Sequence, residues 1–170
     1  AMNRHYRKED LIRILERMRA SKFDWALRTT LMCGFPGETE RQHRKMMEFI
    51  QKYRFDNLGV FAFSCEEGTA AERLPHQCRR STAQRRCDSI MLLQGQLAHK
   101  NNKRREGKIY KTLAEGFDEE QQLWYGRTEF LAPEIDGKVY FSGHGVLPGN
   151  FYNVLMEEAF GYDFFGRVME

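Results

Sequence analysis

A chain of 170 residues and 20.1 kDa has room for one large or two small domains, and can bury most of the apolar surface its unfolded form exposes. Hydrophobic residues at 41 % and charged residues at 30 %, with 4 prolines and 14 glycines, exclude a disordered or collagen-like chain. The longest apolar runs fall far short of the about 18 residues of a membrane span, and Arg4, Arg7, Lys8, Glu9 and Asp10 charge the start, so neither a span nor a secretory leader is expected, and a cytoplasmic location is. The net charge of +3 conceals a division. Residues 1–106 hold 22 of the 27 basic and 13 of the 24 acidic residues, leaving 5 and 11 for residues 107–170, balances of +9 and −6. Such asymmetry marks separate domains or separate partners.

In chain order, Leu11, Ile14, Leu15 and Met18 have the spacing of one helical face and predict a helix over residues 7–20. Residues 25–33 are aromatic, β-branched and aliphatic and predict a strand, halted by Gly34-Phe35-Pro36-Gly37. Thr39 with Gln42 forms a capping-box signal for a second helix that buries Met46, Phe49, Ile50 and Tyr53. Residues 58–64 read as another buried strand, and the α, β, α, β alternation implies parallel strands joined by a helical crossover. Ser81 with Gln84 predicts the start of a long helix with Ala83, Cys87, Ile90, Leu93 and Leu97 on one face. Its other faces carry Arg79, Arg80, Arg85, Arg86, Lys100, Lys103, Arg104 and Arg105, either a solvated surface or a contact for nucleic acid. Beyond residue 107, five short runs (109–115, 123–130, 138–142, 151–157 and 164–169) are separated by turn signals, among them Gly116-Phe117-Asp118, Asp136-Gly137, Pro148-Gly149-Asn150 and Gly161. They predict a small closed β-barrel of the oligonucleotide- and oligosaccharide-binding kind, with the boundary at 106/107.

The four cysteines, Cys33, Cys65, Cys78 and Cys87, lack the close spacing that grips a metal or cluster from one loop. The histidines are scattered, so no metal site is expected, and the thiols are read as reduced groups in or near a core. On the strand ending at Cys33, alternation puts Arg28, Thr30, Met32 and Gly34 on one face. A parallel strand buried on both sides reads as continuously apolar. Arg28 and Thr30 therefore either face a lumen that holds a ligand, with Gly34 letting that ligand reach the backbone, or are satisfied in the core by Glu38 or Asp24. The amides of residues 34–39 could cradle an anion, yet Pro36 removes a donor and no Lys follows Gly37 as a phosphate loop requires, which favours a structural turn.

Arg28-Thr29-Thr30 through Gly34-Phe35-Pro36-Gly37-Glu38-Thr39-Glu40, then Phe55-Asp56 with Gly59-Val60-Phe61, then Glu66-Glu67-Gly68-Thr69-Ala70-Ala71, resemble the later strands of radical S-adenosylmethionine methylthiotransferases. The barrel that follows resembles their TRAM domain. Its segments 132–140 and 161–168 are most similar to the RimO type, which methylthiolates an aspartate of small-subunit ribosomal protein twelve. The resemblance implies a fold of α/β plus all-β class, a partial radical-SAM (βα) barrel over residues 1–106 followed by an OB-like TRAM barrel over 107–170, opening inside the first barrel at Met2-Asn3-Arg4. It implies a transferase parent with S-adenosylmethionine and two 4Fe-4S clusters as cofactors. The cysteines of this chain cannot build those clusters, so the chain alone is expected to bind none of these cofactors and to be inactive. Arg28, Thr30, Gly34, Phe35, Pro36, Gly37 and Glu38 are the implied cofactor-binding residues, with no catalytic residue and no metal ligand assigned.

The balance of −6 bears on the partner. An acidic barrel repels RNA and attracts a basic ribosomal protein, which makes Glu115, Asp118, Glu119, Glu129, Glu134 and Asp136 candidate docking residues, or the acidity serves solubility alone. The alternatives are a parent that modifies a tRNA adenosine and a free-standing RNA-binding module built on the basic helix. Exposed strand edges of a partial barrel invite pairing with a second copy.

Overall fold

The computed structural model describes residues 5–169. Met2-Asn3-Arg4, the expected opening of the first barrel, lies outside the described residues. The chain resolves into two compact units, residues 1–94 and 95–170.

In the first unit, α1 (Lys8–Ala20) leads to β1 (Arg28–Cys33), α2 (Glu40–Tyr53) and β2 (Asn57–Ala62). The strands pair in parallel, from Arg28 opposite Asn57 to Cys33 opposite Ala62, as the helical crossover requires. The capping box starts α2: the Thr39 hydroxyl accepts from the Gln42 amide at 3.3 Å, and the Gln42 side chain accepts from the Thr39 amide at 2.8 Å. Helix α2 sets His43, Ile50 and Tyr53 into the core, while Met46 and Phe49 are only half-buried. Full burial of Ile50 stabilises by about 1.5–3 kcal/mol. Asp56 ties the start of β1 to α1, accepting from the Leu27 amide at 2.9 Å and meeting Arg19 at 3.4 Å. The apolar face expected of α1 is mostly open: Leu15 is buried, whereas Leu11 and Ile14 are exposed.

Helix α3 runs over Arg80–Asn102 and buries Ala83, Cys87, Ile90 and Leu97. Its start differs from the expected cap. The Arg79 carbonyl already accepts from Thr82 and Ala83, so Ser81 lies inside the first turn and Gln84 bonds forward to Asp88 at 2.9 Å. Two residues assigned to its basic outer faces are buried. Arg86 is 5 % exposed and Arg105, in the short 3-10 turn that follows, 2 %. Burial of a guanidinium demands partners. Arg105 lies over the Phe130 ring at 4.3 Å.

The second unit is a closed barrel of β3 (Ile109–Asp118), β4 (Leu123–Thr128), β5 (Val139–Ser142), β6 (Phe151–Phe160) and β7 (Asp163–Val168). Its order is β3-β4-β5-β7-β6, with β5 and β7 parallel and the other pairs antiparallel, the five-stranded closure expected of this barrel type. Residues 116–118, expected as a turn, are strand: a register shift between Ala114 and Gly116 bends β3 and carries pairing on to Asp118. Ala114, Val139, Phe141, Val154, Met156 and Phe164 fill the barrel core. Gly126 and Gly166 sit where a Cβ would run into the backbone of the neighbouring strand.

Candidate functional site

The site develops at the C-terminal end of β1. Arg28 and Thr30 are exposed on one face, while Cys33 on the other is fully buried, the alternation of a strand with one face on the core. The loop that follows is built by internal bonds. Gly34 donates its amide to the Glu38 carboxylate, Gly37 to the His76 carbonyl at 3.0 Å, and Glu38 to the Phe35 carbonyl at 2.9 Å. Three amides that could have cradled an anion are thus occupied, in keeping with a structural turn.

Gly34 is held in the left-handed region at φ +81°, and a Cβ there would run into the Ala83 side chain on α3. Its bare backbone admits that helix; it is buried and does not line the open cleft beside the strand. That cleft, about 970 Å³ in volume, joins Thr30, Phe35, Pro36, Gly37 and Glu38 with Met32, Met46 and Phe61. Five of the seven implied cofactor-binding residues therefore share one cavity, and Arg28 and Gly34 stand outside it. Its wall combines a strand hydroxyl with apolar and aromatic side chains, a lining suited to a ligand with both polar and apolar parts.

Behind the loop lies a polar cluster in which His43 and Arg86 are buried and Glu40 is exposed. Glu38, its side chain 10 % exposed, and Glu40 hold the Arg86 guanidinium at 3.5 and 3.2 Å. Arg86 also donates to the Glu38 carbonyl at 3.2 Å. The hydrogen bond from Arg86 holds the Glu40 carboxyl below its ordinary value. His43 Nε2 meets Ser89 Oγ at 3.0 Å, and burial holds the imidazole below 6.5. Burial, with Cys87 and Glu38 adding to it, pushes the Cys33 thiol up to about 12. Both Cys33 and Cys87 are therefore neutral thiols at physiological pH. They hydrogen-bond to each other in a packed core, with Cys33 0 % exposed. Such packing does not fit an iron–sulfur cluster, which needs open thiolates around its own volume.

The acidic candidates on the barrel divide. Asp118 accepts from the amides of Glu120 and Gln121 at 3.0 Å each, Asp136 accepts from the Ala132 amide at 2.7 Å, and Glu115 pairs with Arg127 at 2.8 Å. Those three carboxylates hold turns and strands of the barrel itself, while Glu119, Glu129 and Glu134 are exposed. Sequence reading missed His43, Arg86 and Ser89. One signal for His43 was present: the period that joins Met46, Ile50 and Tyr53 reaches it when extended one turn back.

Known proteins resemble the chain in both units. The TRAM domain family matches residues 107–169. Over nearly its whole length the chain is similar to proteins named ribosomal protein uS12 methylthiotransferase RimO. The one from Acetivibrio thermocellus is 43 % identical over 169 residues, 99 % of this chain and 37 % of the relative. The one from Clostridium acetobutylicum is 39 % identical over 168 residues, 98 % of this chain and 37 % of the relative. That from a Nostoc species is 38 % identical over 169 residues, 99 % of this chain and 38 % of the relative. The chain thus spans little more than a third of the length of these relatives. With a TRAM domain in its second unit and likeness across both, the chain is similar over nearly its whole length to the C-terminal portion of RimO-type methylthiotransferases.

Proposed function

We propose that this chain is the C-terminal portion of a radical S-adenosylmethionine enzyme that adds a methylthio group to an aspartate of ribosomal protein uS12 in the cytoplasm. The observation that carries the reading is the cleft beside β1, on the open face of a parallel β-α-β unit, with Thr30 set among Met32, Phe35 and Phe61. In this reading the unit is the closing part of a (βα) barrel over residues 1–106, with the TRAM barrel over 107–170. The cleft is then a stretch of its lumen wall, where Thr30 and Phe35 to Glu38 contact the adenosylmethionine. S-adenosylmethionine supplies the radical and the methyl group when bound. The 4Fe-4S clusters are held by other residues of the parent, and this chain alone is inactive. Incubation with iron and sulfide under reducing conditions leaves it without a cluster absorbance band; a stable four-iron cluster would contradict this.

Docking of the substrate is assigned to the acidic barrel, where Glu119, Glu129 and Glu134 are exposed and complement a basic protein. Titration of the chain with uS12 and with tRNA at two salt concentrations tests this. The expected result is binding of uS12 that weakens with salt. Preference for tRNA with a steep salt slope would favour a tRNA-modifying parent or an RNA-binding module. That second reading draws on Arg79, Arg80, Arg85, Lys100, Lys103 and Arg104, which are exposed on and beside α3. Among the described residues β1 and β2 pair only with each other, so each keeps an open edge through which two copies of the chain associate. Sedimentation of the chain across a concentration series reads that association.

A further inference from the structure

The polar cluster behind the β1 loop contains more donors than its own bonds use. The Cys33 sulfur, a Glu38 carboxylate oxygen and a His43 ring nitrogen all lie within 4.8 Å of one another. Glu38 Oε2 takes the Gly34 amide and Arg86, whereas Oε1 is buried with no hydrogen-bond partner among the described residues. His43, 6 % exposed, is in the same state at Nδ1. The proton positions follow from Ser89. A hydroxyl carries one proton, and Ser89 gives its own to the Arg86 carbonyl at 2.8 Å. With that proton donated to the Arg86 carbonyl, Ser89 accepts at 3.0 Å from His43 Nε2, the tautomer in which Nδ1 carries a lone pair. A buried polar atom without a partner is costly, and Glu38 and His43, which lie beside the Cys33 thiol, each carry one.

We propose that Cys33, Glu38 and His43 form a binding site for a borderline divalent transition-metal ion such as Zn²⁺. Thiolate, carboxylate and imidazole are the ligand set such an ion takes. Ligands at zinc distances stand roughly 3–4 Å from one another, so a contraction of about 1 Å gathers the three. The bond from His43 Nε2–H to Ser89 is the outer contact that fixes the tautomer and ring orientation of a ligating histidine. Burial keeps His43 neutral and so ready to ligate. Cys33 releases its proton to solvent as the metal takes its place, and its hydrogen-bonded neighbour Cys87 offers a further sulfur. The spacing of Cys33, Glu38 and His43 in the sequence predicts no metal here, because the strand, the loop and the helix that carry them converge only in the fold.

Co²⁺ added to the metal-free, reduced chain tests this, since its tetrahedral bands and thiolate charge-transfer band report both geometry and sulfur ligation. One equivalent binds, with both bands present, and Zn²⁺ displaces it. Cys33→Ala abolishes the charge-transfer band, Ser89→Ala weakens binding by about 10–100-fold, and Cys65→Ala, at an exposed thiol, changes nothing. Absence of the band in the unmodified chain, its persistence in Cys33→Ala, or its loss in Cys65→Ala overturns the proposal. If circular dichroism shows Cys33→Ala unfolded, Ser89→Ala decides, and an unchanged affinity there overturns it.

Discussion

Gly34→Ala separates a packing role for the first glycine of the Gly34-Phe35-Pro36-Gly37 loop from a ligand-binding one. At φ +81° an alanine costs about 1–2 kcal/mol of backbone strain. Its Cβ would in addition overlap the side chain of Ala83, itself 2 % exposed, and overpacking of that kind costs about 1–3 kcal/mol. The expected loss is about 2–5 kcal/mol. Gly37→Ala is the internal control: its φ is +84° but nothing lies within 4 Å of a Cβ, so about 1–2 kcal/mol is expected from strain alone. Each unit holds one of the two tryptophans, Trp25 and Trp124, so Trp25 fluorescence in a Trp124→Phe background follows urea unfolding of the first unit. Adding Ala83→Gly to Gly34→Ala removes the overlap at a helix-propensity cost of about 1 kcal/mol, for a net recovery of up to about 2 kcal/mol. Equal losses at Gly34 and Gly37, or a further loss in the double variant, would refute the packing role.

Thr39→Ala removes the capping box of α2 and is expected to cost about 0.5–2 kcal/mol, read from the same Trp25 transition. Phe141→Ala empties a fully buried position of the barrel core and is expected to cost about 3–5 kcal/mol, displacing the Trp124 transition while leaving that of Trp25 in place. Because burial holds folded His43 below 6.5, the unfolded chain binds this proton more readily. The stability it contributes is complete above pH 6.5 and is lost as pH falls from there toward the folded value. Urea midpoints measured with a chelator between about pH 5 and 7 should therefore fall toward acid, and His43→Gln should flatten that slope.

Local signals carried much of the fold. Thr39 and Gln42 lie three residues apart and bond to each other through backbone and side chain, so their cap was legible without tertiary knowledge. The five barrel strands were legible because each alternates between a core and a solvent face, as Val139 and Phe141 alternate with Tyr140 and Ser142. Misreadings came where distant groups decide. Arg86 and Arg105 look like solvated cations until Glu38 and Glu40 meet one and the Phe130 ring meets the other. Gly116 looks like a turn residue, yet a bulge keeps it in a strand. In the cleft, Thr30 was legible from strand parity, whereas the inward turn of Gly34 depends on α3 packing against it. The convergence of Cys33, Glu38 and His43 has no counterpart in spacing along the chain.

The most direct test of the central proposal replaces the matching C-terminal portion of the Acetivibrio thermocellus relative with residues 1–170, reconstitutes the clusters of the chimaera, and supplies S-adenosylmethionine with a sulfur source. Mass spectrometry of uS12 and nucleoside analysis of tRNA then read both substrates in one reaction. The expected result is a gain of one methylthio group on an aspartate of uS12, no change in tRNA, and a lower rate with Glu119→Lys/Glu129→Lys/Glu134→Lys. A folded, cluster-loaded chimaera that modifies tRNA adenosine, or leaves uS12 unmodified, would contradict it.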